Sequence, residues 1–240
     1  MTKAPIPCRA VFLDAGGVIV LPDGHLLADA LARVEIDVDP SAVPLAHYRA
    51  VRALDRAVRA PGRSDYPGAL FPQLGIVPGR TAEALVVWER LADRARSNQV
   101  LWSEPTPSAR DTIATLQRAG LAVVIVTNSD GHGAENLAAS GFAGVPVIDS
   151  HVVGGAKPDV RIFEAALACA GEELAALGRS RVAVKPSEVV HVGDMLSTDV
   201  AGARAAGITA IHFDPLRACR ATDHRHVRSL SGLWRHIASP

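Results

Sequence analysis

Short apolar runs that stop at a polar side chain recur along this chain, and they constrain its fold more than any other feature. Ala10–Leu13 ends at Asp14, Ala122–Val126 at Thr127, Val189–Val192 at Gly193-Asp194, and Thr209–Phe213 at Asp214. Pro146–Ile148, ending at Asp149, is a weaker example. Unbroken β-type runs of this length suit strands covered on both faces, the habit of parallel sheets. Helical patterns lie between them at Ser108–Ala119, Gly133–Ser140, Val160–Ala170 and Thr198–Ala206. Gly120, Gly141 and Gly207 follow three of these, where a left-handed residue closes a helix. Strand alternating with helix predicts an α/β fold with a doubly wound parallel sheet. The polar residues then gather past the carboxyl ends of the strands, the edge at which such sheets bind ligands.

The stretch from Pro22 to Ser103 has another character. It reads as helices over His25–Val34, Ala42–Ala60 and Thr81–Ser97, with a Pro/Gly-broken loop from Pro61 to Gly79 and no strand-like run. Its position after the first strand predicts an inserted helical cap over residues 22–103, leaving residues 1–21 and 104–240 as the α/β core. Helical inserts beside an active edge commonly work as lids. The arginines at 49, 52, 56 and 59 read as a solvated helix face, and Leu85, Val86, Val87 and Trp88 as core of the insert. Tyr48, Arg49, Arg52 and Trp88 are candidates for substrate contact.

Composition narrows the function classes. Lys and Arg total 25 and balance 25 Asp and Glu, and only 4% of residues are aromatic. Neither a basic surface nor a base-stacking platform for nucleic acid is implied. No apolar run approaches the ~20 residues that span a bilayer, and the N-terminus lacks a signal-peptide core. The expectation is a cytoplasmic protein without nucleic-acid or membrane partners, monomeric or homodimeric. Cys8, Cys169 and Cys219 lie far apart with no CxxC spacing, which predicts free thiols rather than a zinc site or disulfide framework.

Four segments carry the chemistry: Val11–Val18 around Asp14, Gly16 and Gly17; Val124–Ser129 around Thr127 and Asn128; Gly155–Phe163 around Lys157-Pro158-Asp159; and His191–Asp199 with Gly193-Asp194 and Asp199. In order and spacing they resemble the four motifs of the haloacid dehalogenase-like superfamily, over roughly residues 6–21 and 104–215, with the insert resembling the family's helical cap type. The resemblance implies a Rossmannoid core and a hydrolase, most simply a phosphatase of a small phosphorylated molecule. Asp14 would attack phosphorus to give an aspartyl-phosphate, splitting one hard step into two. A Mg²⁺ ion suits such a carboxylate-lined site. Its ligands would be Asp14, the Gly16 carbonyl and Asp194, with Asp199 either ligating or holding a metal-bound water. Thr127 and Asn128 would donate to the phosphoryl oxygens, Gly16 and Gly17 would let backbone N–H groups approach an anion, and Lys157 would neutralise charge. His191, inside an apolar strand, reads as a core histidine. His25 and His132 flank the expected mouth and read as solvent-exposed.

One position departs from the family pattern. Family phosphatases usually carry a second aspartate two residues after the nucleophile, as general acid and base, and here that residue is Gly16. Positioned acid–base catalysis is worth ~10²–10⁴ in rate. Three readings follow: a phosphatase served by a good leaving group, a water or a cap donor such as His25; other covalent chemistry; or a non-catalytic phospholigand binder. Asp194 and Asp199 count against the dehalogenase branch, whose fourth motif is metal-free. A lysine-free segment from Pro22 to Ser103 counts against a Schiff-base phosphonatase.

Overall fold

The computed structural model describes residues 4–57, 66–93, 99–179 and 183–239. Two compact units emerge: Met1–Ile19 with Pro105–Pro240, and Val20–Glu104.

The first unit is built on a six-stranded, all-parallel sheet. In chain order its strands are β1 (Ala10–Leu13), β2 (Ala122–Thr127), β3 (Val147–Asp149), β4 (Val189–Gly193), β5 (Thr209–Phe213) and β6 (Arg225–Val227). They lie side by side in the order β3-β2-β1-β4-β5-β6. β1 pairs with β2 on one side and β4 on the other, Leu13 standing opposite both Ile125 and Val192. The chain therefore changes direction across the sheet between β1 and β4, and a crevice opens at the carboxyl ends of such a pair.

Both faces of the central strands are buried, which explains the unbroken apolar runs. On one face Phe12, Val124 and Val126 pack with Ile162, Phe163, Ala166 and Ala170 of the helix Val160–Ala176. Val11, Leu13, Val123 and Ile125 point the other way and are equally buried. Gly120, Gly141 and Gly207 have φ of 80°, 88° and 73°, as the sequence predicts. Thr198–Ala206, expected as one helix, is a π-type turn over Leu196–Val200 continued by a short α-helix at Ala201–Ala205.

β6 was not legible in the sequence, because Arg225-His226-Val227 is short and two-thirds polar. It is followed by a 3₁₀ segment at Leu230–Arg235, and the strand Ile237–Ala238 pairs with Ile6–Pro7.

The second unit is helical, with α-helices at Gly24–Ala32, Val43–Ala57, Tyr66–Gln73 and Thr81–Ala92. The third corrects the expected loop over Pro61–Gly79. Pro67 occupies the first turn, where its missing N–H costs nothing, and Leu70 and Phe71 are buried. Two short strands, Val20–Pro22 and Trp102–Pro105, pair at the ends of the unit and were also unforeseen. Trp88 packs with Tyr66, Phe71 and Trp102, so it belongs to the core of this unit rather than to a substrate surface. Val87 is buried as expected, whereas Val86 is exposed. Arg49, Arg52 and Arg56 are exposed; Arg59 and the helix ends expected at 58–60 and 94–97 lie outside the described residues. Among the described residues no helix is long and apolar enough to cross a membrane.

Phe163 is fully buried and presses its ring edge-on against His191, centroids 5.1 Å apart. Phe163→Ala is expected to cost about 3–5 kcal/mol, measured as a fall in the urea midpoint at unchanged slope.

Candidate active site

The carboxyl edge of β1, β2 and β4 collects the charged residues. Asp14 follows β1 directly, and its N–H donates to the Val192 carbonyl at 2.9 Å, so its backbone is still held in the sheet. Its Oδ1 accepts the Ala15 N–H at 2.7 Å and lies 2.6 Å from Lys157 Nζ. The loop beyond it turns through Gly17, whose φ of 76° favours glycine. It is pinned from behind by Thr106, whose hydroxyl donates to the Val18 carbonyl at 2.6 Å.

Lys157 is 4% exposed, and its Nζ sits between two carboxylates, 2.7 Å from Asp199 Oδ1. Asn128 holds the lysine's main chain in a two-way clasp: its Nδ2 donates to the Lys157 carbonyl at 3.1 Å, and the Lys157 N–H donates to its Oδ1 at 2.7 Å. This use of the Asn128 side chain was not anticipated. Thr127, the last residue of β2, is buried at the same edge.

Asp199 is held by donors on both oxygens. Oδ1 accepts from Lys157 and from His191 Nε2–H at 2.9 Å; Oδ2 accepts the Met195 N–H at 3.1 Å. Its close approach requires glycine at 193, where an added Cβ would lie 2.1 Å from the Asp199 Cγ. His191 is fully buried, as a core histidine should be, yet it also positions a site carboxylate. The sequence signal was available: His191 and Asp199 frame the Gly193-Asp194 turn. Asp14, Asp194 and Asp199 each offer an oxygen, and these atoms lie within 4.8 Å of one another.

The expected residues 14, 157, 194 and 199 thus converge, with 127 and 128 on the adjoining strand end. His25 and His132 are exposed, and His132 Nδ1 is 3.3 Å from Glu135. Asp149 was passed over: its Oδ2 accepts the Gly131 and Gly133 N–H groups and so shapes the loop after Asn128. A second group was also missed. Cys219, expected to be an isolated thiol, lies among His212, His224 and His226.

Three carboxylates around one ammonium leave an excess of negative charge. Burial, reinforced by Asp199 and Asp194, pushes the Asp14 carboxyl up to about 8 despite the pull of Lys157. Burial also acts to raise Asp199, but the Lys157 charge and the His191 hydrogen bond hold it well below the usual carboxylate range. For Lys157 burial acts downward, and the two aspartates more than reverse it, so the ammonium is firmly charged.

A family model described as haloacid dehalogenase-like hydrolase matches residues 8–207. The chain belongs to that family. Among curated relatives, this hydrolase is 36% identical over 111 residues to a phosphoserine phosphatase of Thermus thermophilus, covering 45% of this chain and 40% of that one. It is 31% identical over 121 residues to a ribulose-1,5-bisphosphate 5-phosphatase of Halopiger xanaduensis, covering 49% and 45%. The hydrolase therefore spans less than half the length of either relative. Among solved structures, the HAD-hydrolase YfnB of Bacillus subtilis, bound to magnesium, superposes with a TM-score of 0.62 at 19% identity over 95% of this chain and 97% of that one. A dehalogenase solved with an intermediate complex gives 0.59 at 19% over 98% and 99%. Such identities establish a shared fold and nothing finer.

Asp14 and Asp199 set opposite pH slopes on stability. Between the ordinary value of 3.8 and about 8, the folded chain keeps an Asp14 proton that the unfolded chain releases, so this group lowers stability as pH rises. Asp199 adds stability that is present above its unfolded pKa and lost as pH falls below about 4. In chelator, Asp14→Asn is expected to melt higher than the wild type at pH 8, with the gap closing by pH 4. Equal melting temperatures across that range would contradict the assigned charge balance.

Proposed function

We propose that this hydrolase is a Mg²⁺-dependent phosphatase of small phosphorylated metabolites, acting through an aspartyl-phosphate on Asp14. The observation that carries the reading is the Lys157 ammonium 2.6 Å from Asp14 Oδ1, in a site whose other carboxylates lie within 4.8 Å. A carboxylate nucleophile facing an anionic phosphoryl group needs such a fixed positive charge. The two curated phosphatase relatives support the same class of substrate.

The donor set fits a hard cation. Asp14 and Asp194 offer carboxylate oxygens, and excess negative charge remains after Lys157 is counted. Asp199 already accepts from Lys157, His191 and Met195, so Asp14, Asp194 and the Gly16 carbonyl would hold the ion while Asp199 orients Lys157. When bound, Mg²⁺ supplies charge neutralisation between nucleophile and phosphate.

An Asp14 oxygen then attacks phosphorus and the bond to the leaving oxygen breaks, with Thr127 Oγ1–H and the Asn128 N–H donating to the phosphoryl oxygens. Water next attacks the same phosphorus, the Asp14–phosphorus bond breaks, and inorganic phosphate leaves with Asp14 restored. Gly16 can move no proton in either step, so the leaving oxygen takes its proton from water. The chemistry favours substrates whose leaving group needs little help. We assign substrate selection to the helical unit Val20–Glu104, which the chain enters directly after the Asp14 loop.

An aryl phosphate such as p-nitrophenyl phosphate is expected to release phosphate only with Mg²⁺, and Asp14→Asn is expected to lower kcat by at least ~10³. Halide release from 2-haloacids without added metal, with no phosphate release, would overturn the reading. Gly16→Asp restores a proton-transfer group and is expected to raise kcat on alkyl phosphates by ~10² or more while changing aryl phosphate turnover far less. Equal gains on both would contradict the role given to the missing acid.

A further inference from the structure

We propose that His212, Cys219, His224 and His226 form a second metal site, closed and zinc-type, at the free edge of the sheet. Each side chain offers one ligand atom, and all four atoms lie within 4.8 Å of one another. The grouping comes from one short stretch, residues 212–226, folded back on itself. His212 and His226 are register partners on the adjacent parallel strands β5 and β6, so their side chains leave the same face. Cys219 and His224 come from the loop that joins those strands.

The chemistry of the four donors is specific. His212 Nε2–H donates to the Asp194 carbonyl at 3.1 Å, which leaves the lone pair on Nδ1. His224 Nδ1–H donates to Asp223 Oδ1 at 2.8 Å, leaving the Nε2 lone pair toward Cys219 Sγ at 3.6 Å. A tetrahedral ion with Zn–N and Zn–S bonds of about 2.05 and 2.3 Å separates its N and S ligands by about 3.6 Å. His226 Nε2 is buried with no hydrogen-bond partner among the described residues. The rings crowd together, with centroids 4.5 Å apart for His224–His226 and 5.4 Å for His212–His224. A buried nitrogen left unsatisfied, such as His226 Nε2, costs about 1–3 kcal/mol, and a cation held by the four donors would satisfy it.

The outer contacts have the form that metal-ligating histidines need. A carboxylate and a backbone carbonyl each hold the far nitrogen of one imidazole, fixing its tautomer. Asp223 is itself held by Arg204, whose Nη1 and Nη2 donate to its side chain and carbonyl, both at 2.7 Å. Both Asp214 oxygens accept loop N–H groups, those of Ala218 and Cys219 at 2.9 Å, which fixes the thiol's approach. Three imidazoles and a thiolate select a borderline-soft ion such as Zn²⁺ and discriminate against Mg²⁺. Four protein ligands leave no open position, so the site is structural. It staples β6 to β5 and, through His212, steadies the main chain of Asp194.

Co²⁺ titration of the chelator-treated full chain tests the site directly. The expected result is one-to-one binding with tetrahedral visible bands and a thiolate-to-cobalt charge-transfer band. Cys219→Ser should abolish that band and Asp14→Asn should leave it intact. Asp223→Asn is expected to weaken binding about 10–100-fold. Zn²⁺ should raise the melting temperature of the wild type and compete out the cobalt spectrum. Absence of a charge-transfer band in the wild type at stoichiometric Co²⁺, or its persistence in Cys219→Ser, overturns the proposal.

Discussion

Lys157 Nζ lies 2.6 Å from Asp14 and 2.7 Å from Asp199, almost fully removed from water, and the local architecture is arranged to keep it there. Removing one partner of a buried ion pair strands the other and typically costs about 3–5 kcal/mol. Several features follow from that constraint. Asn128 clamps the main chain of Lys157 so that the ammonium cannot drift. His191 and the Met195 N–H fix Asp199, and Gly193 gives that carboxylate room. Asp14 is left with a raised proton affinity, the state that a divalent cation is best placed to reverse.

The parallel sheet explains why these groups meet. β1, β2 and β4 are neighbours, so residues just past Leu13, Val126 and Val192 share one edge. The same logic made the core legible in the sequence: continuous apolar runs ending in Asp14, Thr127 and Gly193-Asp194 can hardly be arranged otherwise. What escaped was set by contacts between distant residues. The clasp between Asn128 and Lys157 spans 29 positions, and neither end has a signature of its own. The helix Tyr66–Gln73 was hidden by Pro67 and Pro72, although buried Leu70 and Phe71 drive its formation. β6 was hidden by its polar composition. Cys219 is a different case: its companions His212, His224 and His226 lie within seven residues of it, but no CxxC spacing announces them.

Two donor sets of opposite chemical character therefore stand on one sheet. The set around Asp14 is oxygen-rich and anionic, and it accompanies a family fold shared by phosphatases and dehalogenases alike. The set around Cys219 is nitrogen- and sulfur-rich, with Asp223 orienting one imidazole and Asp214 holding the loop N–H groups. Their separation in softness would let each select its own ion in the presence of the other. The hydrogen bond from His212 to the Asp194 carbonyl links them directly.

The central claim is that an Asp14 oxygen becomes esterified to phosphorus. Acid quench of the Mg²⁺-loaded enzyme during turnover of an aryl phosphate, followed by digestion and mass spectrometry, tests it. The account predicts one phosphoryl group on the peptide containing Asp14, absent from Asp14→Asn and lost on treatment with hydroxylamine. Phosphate production at full rate with no label on that peptide, or with the label on another residue, would contradict it.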